Sequence, residues 1–218
     1  MFYLNVFRQD LKLFDEFLLF YEKNSKAFLK RLDEFQTNWQ DRILEELIFC
    51  LCTPQTSPFK ASLASISLTK LVQEGKNISC EIAEKVLRNS SAYVRFHKTK
   101  SVRIVEAQKV LPKIKEFLLS GYSPEKEREF LFNLINGFSF KETSHFLRNI
   151  GRRGLAIIDR HMIRFLTQIN VIEYGFKLTK KNYLLTEDKI KSLCCHHSLD
   201  FDAFDIAVFM FQTGFFLK

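Results

Sequence analysis

Two residues of this chain have the chemistry for a covalent reaction: Lys141 and Asp159, eighteen positions apart. An amine is a nucleophile only when neutral. Lys141 follows the turn Asn136-Gly137-Phe138-Ser139-Phe140 at the start of a helical segment, where the positive helix end and partial burial both disfavour its charged form. Asp159 comes after a stretch punctuated by Gly151 and Gly154, long enough for the chain to turn back, and a helix N-terminus at that point favours the carboxylate. An amine and a carboxylate serving one electrophilic carbon suffice for displacement with electrostatic support of the positive charge that develops there. Gly137 and Ser139 add a second function. A tight turn between two helices offers backbone N–H groups from the turn and from the second helix N-terminus, a seat for a phosphate. Taken alone, the same turn better suits two helices that merely pack, and such a Lys and Asp better suit a solvated helical surface.

The elements that must position these residues are helices. Only 7 Gly and 4 Pro occur in 218 residues, too few for an all-β chain of tight turns, and apolar residues recur with helical spacing, as in Ile43, Leu44, Leu47, Ile48 and Leu51. Thr53-Pro54-Gln55-Thr56-Ser57-Pro58 ends that helix and starts another. The periodicity predicts further helices over roughly 7–34, 59–73, 79–89, 100–120, 124–135, 141–150, 160–169, 180–195 and 201–213, with glycines in the gaps. The fold class is therefore all-α, read as a single domain over 1–218, and the region 124–150 is a helix, a short turn and a helix. The 24 Phe serve mainly as core filler.

Composition narrows the partners. Hydrophobic residues at 46% and charged residues at 27% allow a real core, and a net charge of +8 favours a polyanion. Five cysteines, odd in number and without metal or redox spacing, suit a reducing compartment. Cys194-Cys195-His196-His197 resembles a metal cluster, yet four successive helical residues point around the helix rather than at one ion, so no metal site is expected. Met1-Phe2-Tyr3 followed by Arg8, Asp10 and Lys12 does not read as a signal peptide, and no apolar run reaches the roughly 18 residues of a membrane span. The expectation is an intracellular, cytoplasmic protein that makes no membrane contact.

The stretch from Asn136 to Gly151, containing Lys141-Glu142-Thr143-Ser144-His145-Phe146-Leu147-Arg148-Asn149, and the stretch Ile157-Ile158-Asp159-Arg160-His161 closely resemble the signature of helix-hairpin-helix DNA glycosylase/lyases. Within that superfamily they are similar to the archaeal-type second family of 8-oxoguanine DNA glycosylases. Phe49-Cys50-Leu51-Cys52-Thr53, Phe204-Asp205, Phe209, Gly214 and Lys218 extend the likeness, with Ser139 standing for a usual glycine, Thr143 for alanine and Phe209 for tryptophan. The resemblance implies two helical lobes with a cleft between them. It implies a base-excision DNA N-glycosylase with AP lyase activity that removes 8-oxoguanine through a Schiff base on Lys141, with Asp159 stabilising charge on the sugar. It also implies DNA contacts at Gly137, Ser139 and His145 and a base pocket at Asp205, Phe209 and Lys218. The partner is double-stranded DNA bearing a damaged base, bound by a monomer without a cofactor. His145, one turn after Lys141, either faces DNA or supports the hairpin, and Asn149 is expected to tie the second helix to the Asp159 loop. Two other readings stay open: a related enzyme for another oxidised or alkylated base, and a non-catalytic DNA-binding module.

Overall fold

A computed structural model describes residues 2–215, with side chains from residue 12 onward. Among the described residues the secondary structure is helical, with no strand. The α-helices are α1 (Phe2–Gln36), α2 (Trp39–Cys52), α3 (Pro58–Gln73), α4 (Cys80–Leu87), α5 (His97–Lys109), α6 (Leu111–Leu119), α7 (Pro124–Leu134), α8 (Phe140–Asn149), α9 (Arg160–Gln168), α10 (Lys180–His196) and α11 (Phe201–Thr213). The chain divides into two compact units. One is Phe35–Arg152; the other joins the part up to Glu34 with the part from Arg153 onward.

In the unit Phe35–Arg152, the stripe read from the sequence on α2 is buried and packs on α3, α5 and α8. Polar caps start several helices: Ser57, Ser79 and Ser123 each accept a bond from the backbone N–H three residues on. One buried charge here, Glu127, is paired. Glu127 accepts from Arg152 Nε at 2.8 Å, and Arg152 also donates to the Leu118 carbonyl at 2.9 Å while lying over the Trp39 ring. Gly151 closes α8 at a φ of +82°, and a side chain there would meet the Gln36 backbone at 2.8 Å, so only glycine fits.

The other unit is held by rings. Phe17 of α1 lies against Phe165 of α9, Phe204 and Phe211 of α11 at centroid separations of 4.7, 5.5 and 5.5 Å. Tilted and edge-on contacts of this kind add to the area they bury. The Tyr21 hydroxyl accepts the Asp200 N–H at 3.0 Å, fixing the start of α11. In α10 and the residue after it, Cys194 is buried and Cys195 and His196 are exposed, while the His197 ring stands edge-on to both Phe14 and His196 at 4.8 Å.

One expected helix is two. The segment 100–120 breaks at Val110 (ψ 2°) into α5 and α6. Pro112 is the cause: it has no N–H to donate back to residue 108 and its ring would strike that carbonyl, so it sits in the first turn of a new helix. Among the described residues, no helix is long and apolar enough to cross a membrane.

Candidate functional site

The turn from α7 to α8 is built by local chemistry. Pro124 and the Ser123 cap start α7, Phe138 N–H closes the turn on the Ile135 carbonyl at 3.2 Å, and Phe138 and Phe140 turn inward and are buried. Phe140 packs edge-on to Phe132 at 5.0 Å, with the Arg128 guanidinium over its ring. Gly137 has a φ of +95°, which a side chain rarely adopts. Ser139 is the N-cap of α8: its oxygen accepts the Lys141 N–H at 3.2 Å, and Glu142 returns a carboxylate to the Ser139 N–H at 3.3 Å and to its hydroxyl. A cap supplied by serine takes no positive charge to satisfy. Lys141 thus stands at the second position of the helix with its side chain 19% exposed, its Nζ 3.4 Å from Glu142 Oε1.

Beneath it, α8 is riveted to α2. Asn149 Nδ2 donates to Glu46 Oε2 at 2.7 Å, Asn149 Oδ1 accepts from Arg148 Nε at 3.3 Å, and Arg42 donates to the Asn149 carbonyl at 2.8 Å. This corrects the expectation for Asn149, whose bond goes to α2 instead of to the Asp159 loop. Burial pushes the Glu46 carboxyl up, opposed by the Asn149 bond and the Arg42 charge. The His145 ring meets Phe49 edge-on at 5.6 Å, and its Nδ1 is buried without a hydrogen-bond partner. Burial, then Arg148 and Lys141, hold this imidazole well below its ordinary range, so it is neutral near pH 7. Burial also pushes the neighbouring Cys50 thiol up. Glu46 and Arg42 were not singled out from sequence; the apolar α2 stripe gives no sign of the polar face beside it.

In the other unit, Asp159 is the N-cap of α9. Its Oδ1 accepts the His161 and Met162 N–H groups, each at 2.9 Å, as a helix N-terminus favours. The extended approach to it has no helix or strand to satisfy its backbone, and side chains do so. Asp202 Oδ1 accepts from Gly154 N at 2.6 Å, Glu187 Oε2 from Ala156 N at 2.8 Å, and the Tyr183 hydroxyl accepts from Ile158 N at 3.3 Å and donates to the Ala156 carbonyl at 2.6 Å. Tyr183, Glu187 and Asp202 escaped sequence reasoning because their partners are backbone groups 25 or more residues away. The His161 ring stands edge-on to Phe209 of α11 at 5.2 Å, and burial leads the lowering of the His161 pKa, against Asp159. Phe209 and Asp205 are half-buried on α11, one turn apart. Lys218 lies outside the described residues.

The all-helical fold, with its glycine turn between α7 and α8, is that of the helix-hairpin-helix DNA glycosylases. Residues 28–199 match the family described as 8-oxoguanine DNA glycosylase (Ogg-HhH), and the chain belongs to that family. It is 33% identical over 218 residues to an 8-oxoguanine DNA glycosylase/AP lyase of Fusobacterium nucleatum, covering 94% of this chain and 97% of that protein. The homologous enzyme of Sulfurisphaera tokodaii is 34% identical over 204 residues, with coverages of 90% and 97%. The crystal structure of Methanocaldococcus jannaschii 8-oxoguanine DNA glycosylase superposes with a TM-score of 0.80 at 29% identity, covering 95% of this chain and 97% of that one. The same organism's enzyme in complex with 15mer DNA containing 8-oxoguanine gives 0.78 at 28% identity, with coverages of 92% and 99%.

Proposed function

We propose that this protein is a DNA N-glycosylase with AP lyase activity that excises 8-oxoguanine from duplex DNA, working inside the cell, in the cytoplasm, as a monomer with one catalytic domain. The observation that carries the reading is family membership over a segment that contains the hairpin, Lys141 and Asp159. Lys141 Nζ, neutral when it reacts, attacks C1′ of the damaged nucleotide. The C1′–N bond breaks and its electron pair leaves with the base. Asp159, a carboxylate already held by two backbone donors, stabilises the positive charge that grows on the sugar and favours loss of the amine proton. The sugar ring then opens to a Schiff base between C1′ and Nζ. Loss of a C2′ proton expels the 3′ phosphate, which cuts the strand. This chemistry asks only for an amine and a carboxylate, so it requires no cofactor.

A base stacked in duplex DNA is out of reach of a lysine, so the nucleotide is flipped into a pocket. Asp205, Phe209 and the C-terminal Lys218 form that pocket in this reading, supported by the family likeness and by the half-buried Phe209 ring beside His161. Gly137 takes the DNA phosphate through its backbone N–H, and Ser139, whose own N–H is held by Glu142, shapes the turn beside it as the cap of α8. His145, neutral and packed on Phe49, supports the α8–α2 contact beneath them and adds no charge toward DNA. The test is base release and strand nicking on a duplex with a single 8-oxoguanine, beside undamaged and other-lesion duplexes. Both products are expected from 8-oxoguanine in preference to the others. Equal or better excision of another lesion, or binding without release of any base, overturns the assignment.

A further inference from the structure

The hairpin's surface has a second component on α5. Gly137 has no side chain, and a Cβ there would lie 2.6 Å from Arg103 Cδ, 2.8 Å from its Nε and 3.0 Å from its Cζ. The Arg103 side chain therefore rests directly on the bare turn backbone. Arg103 is a half-exposed residue, and no carboxylate among the described residues pairs with it. The nearby acids are already engaged: Glu106 accepts from Asn136 Nδ2 at 3.1 Å, and Glu142 is taken up by Ser139 and Lys141. Arg103 and Arg95 both lie close enough to Lys100 to disfavour its charge, while Glu142 favours it, so cations and one carboxylate share this side of the turn. Lys100 itself is turned inward, its Nζ donating to the Cys52 and Pro54 carbonyls at 2.8 and 2.7 Å. Arg103 is the cation of this group whose head lies on the hairpin.

Resting on the DNA-repair reading above, we propose that Arg103 is a DNA-phosphate ligand that shares one phosphate with the Gly137–Ser139 turn. The Phe138 and Ser139 N–H groups are spent on the Ile135 carbonyl and Glu142, so the Gly137 N–H binds that oxyanion, and the guanidinium adds a full charge and a planar fork of donors from the α5 side. The turn and the arginine are mutually dependent, because a side chain at position 137 would displace the guanidinium. The contact is to backbone, so it carries no sequence or lesion preference.

The test is the salt dependence of affinity for undamaged and 8-oxoguanine duplexes, comparing the unsubstituted protein with Arg103→Gln and Arg103→Lys. Loss of one phosphate contact lowers the magnitude of the log K against log salt slope by about 0.9, and loss of a charge-assisted bond weakens binding about tenfold or more. Arg103→Gln is expected to do both, equally on the two duplexes, and Arg103→Lys to restore most of the slope. A duplex scanned with single neutral methylphosphonate linkages then has one position that weakens the unsubstituted protein markedly more than it weakens Arg103→Gln, which keeps only the backbone contact there. An unchanged slope, a loss confined to the damaged duplex, or full additivity at every linkage overturns the assignment. Should Arg103→Gln unfold, the lysine variant and the linkage scan on the unsubstituted protein decide alone: a uniform scan overturns it. If the unsubstituted protein neither binds duplex nor releases 8-oxoguanine, the reading beneath falls instead.

Discussion

The two compact units bury different chemistry. In Phe35–Arg152 the interior holds Lys100, Glu127, Arg128, Arg148 and Asn149 together with buried serines and threonines, whereas in the other unit Thr186 and Glu187 are the buried polar side chains among the described residues and the core is a cluster of phenylalanines. Each unit presents one candidate reactive group at a helix N-terminus, and the difference follows from what each must hold. A lysine at a helix start is opposed by the helix dipole, so its helix needs ties from elsewhere: the Ser139–Glu142 capping box and the Glu46–Asn149 bond supply them. An aspartate at a helix start is its own cap, so apolar packing is enough to fix the helix behind it.

The largest expected effect is chemical. Asp159→Asn keeps an N-cap but removes the charge, so single-turnover base release is expected to fall by about 10²–10³ with the fold intact, as circular dichroism would verify. A loss below about threefold would reduce Asp159 to a cap. Next come the cores. Phe204→Ala deletes a fully buried ring from the aromatic cluster and is expected to cost about 3–5 kcal/mol in denaturant unfolding, enough to lose much of the fold. Glu127→Ala in the other unit leaves Arg152 with the Leu118 carbonyl and the Trp39 ring, so the expected cost is smaller, about 1–3 kcal/mol. Equal costs would erase the contrast between the two interiors.

The smallest effect is a pH dependence. Burial pulls Lys100 from 10.5 down to about 8, so between those values the unfolded chain binds the proton that the folded one has released. Stability from this residue therefore rises as pH increases from about 8 toward 10.5. The stability difference between the unsubstituted protein and Lys100→Met is expected to move in favour of the former over that window, measured by urea unfolding at each pH. A difference that stays flat or moves the other way would mean that the bonds to Cys52 and Pro54 hold the ammonium fully charged.

What was legible in the sequence was what local chemistry decides. Helical periodicity, the glycine turn before Lys141 and the helix start at Asp159 each depend on residues within one or two turns, and they stand where the reading put them. The break at Val110 was written in Pro112 and overridden by the surrounding apolar spacing. Asn149 was misread because its partner Glu46 lies 103 residues away, and the Tyr183, Glu187 and Asp202 supports of the Asp159 approach were hidden for the same reason. Arg103 left no signal either, since only the folded chain lays it across Gly137.

The central claim is that Lys141 forms the covalent bond to DNA. Borohydride reduction of the reaction with an 8-oxoguanine duplex, followed by proteolysis and mass spectrometry, locates the trapped sugar remnant on one peptide. The account predicts that it lies on Lys141, and that Lys141→Gln yields no adduct. A remnant on Lys100, on the α-amino group or on any other lysine, or an undiminished adduct from Lys141→Gln, would contradict it.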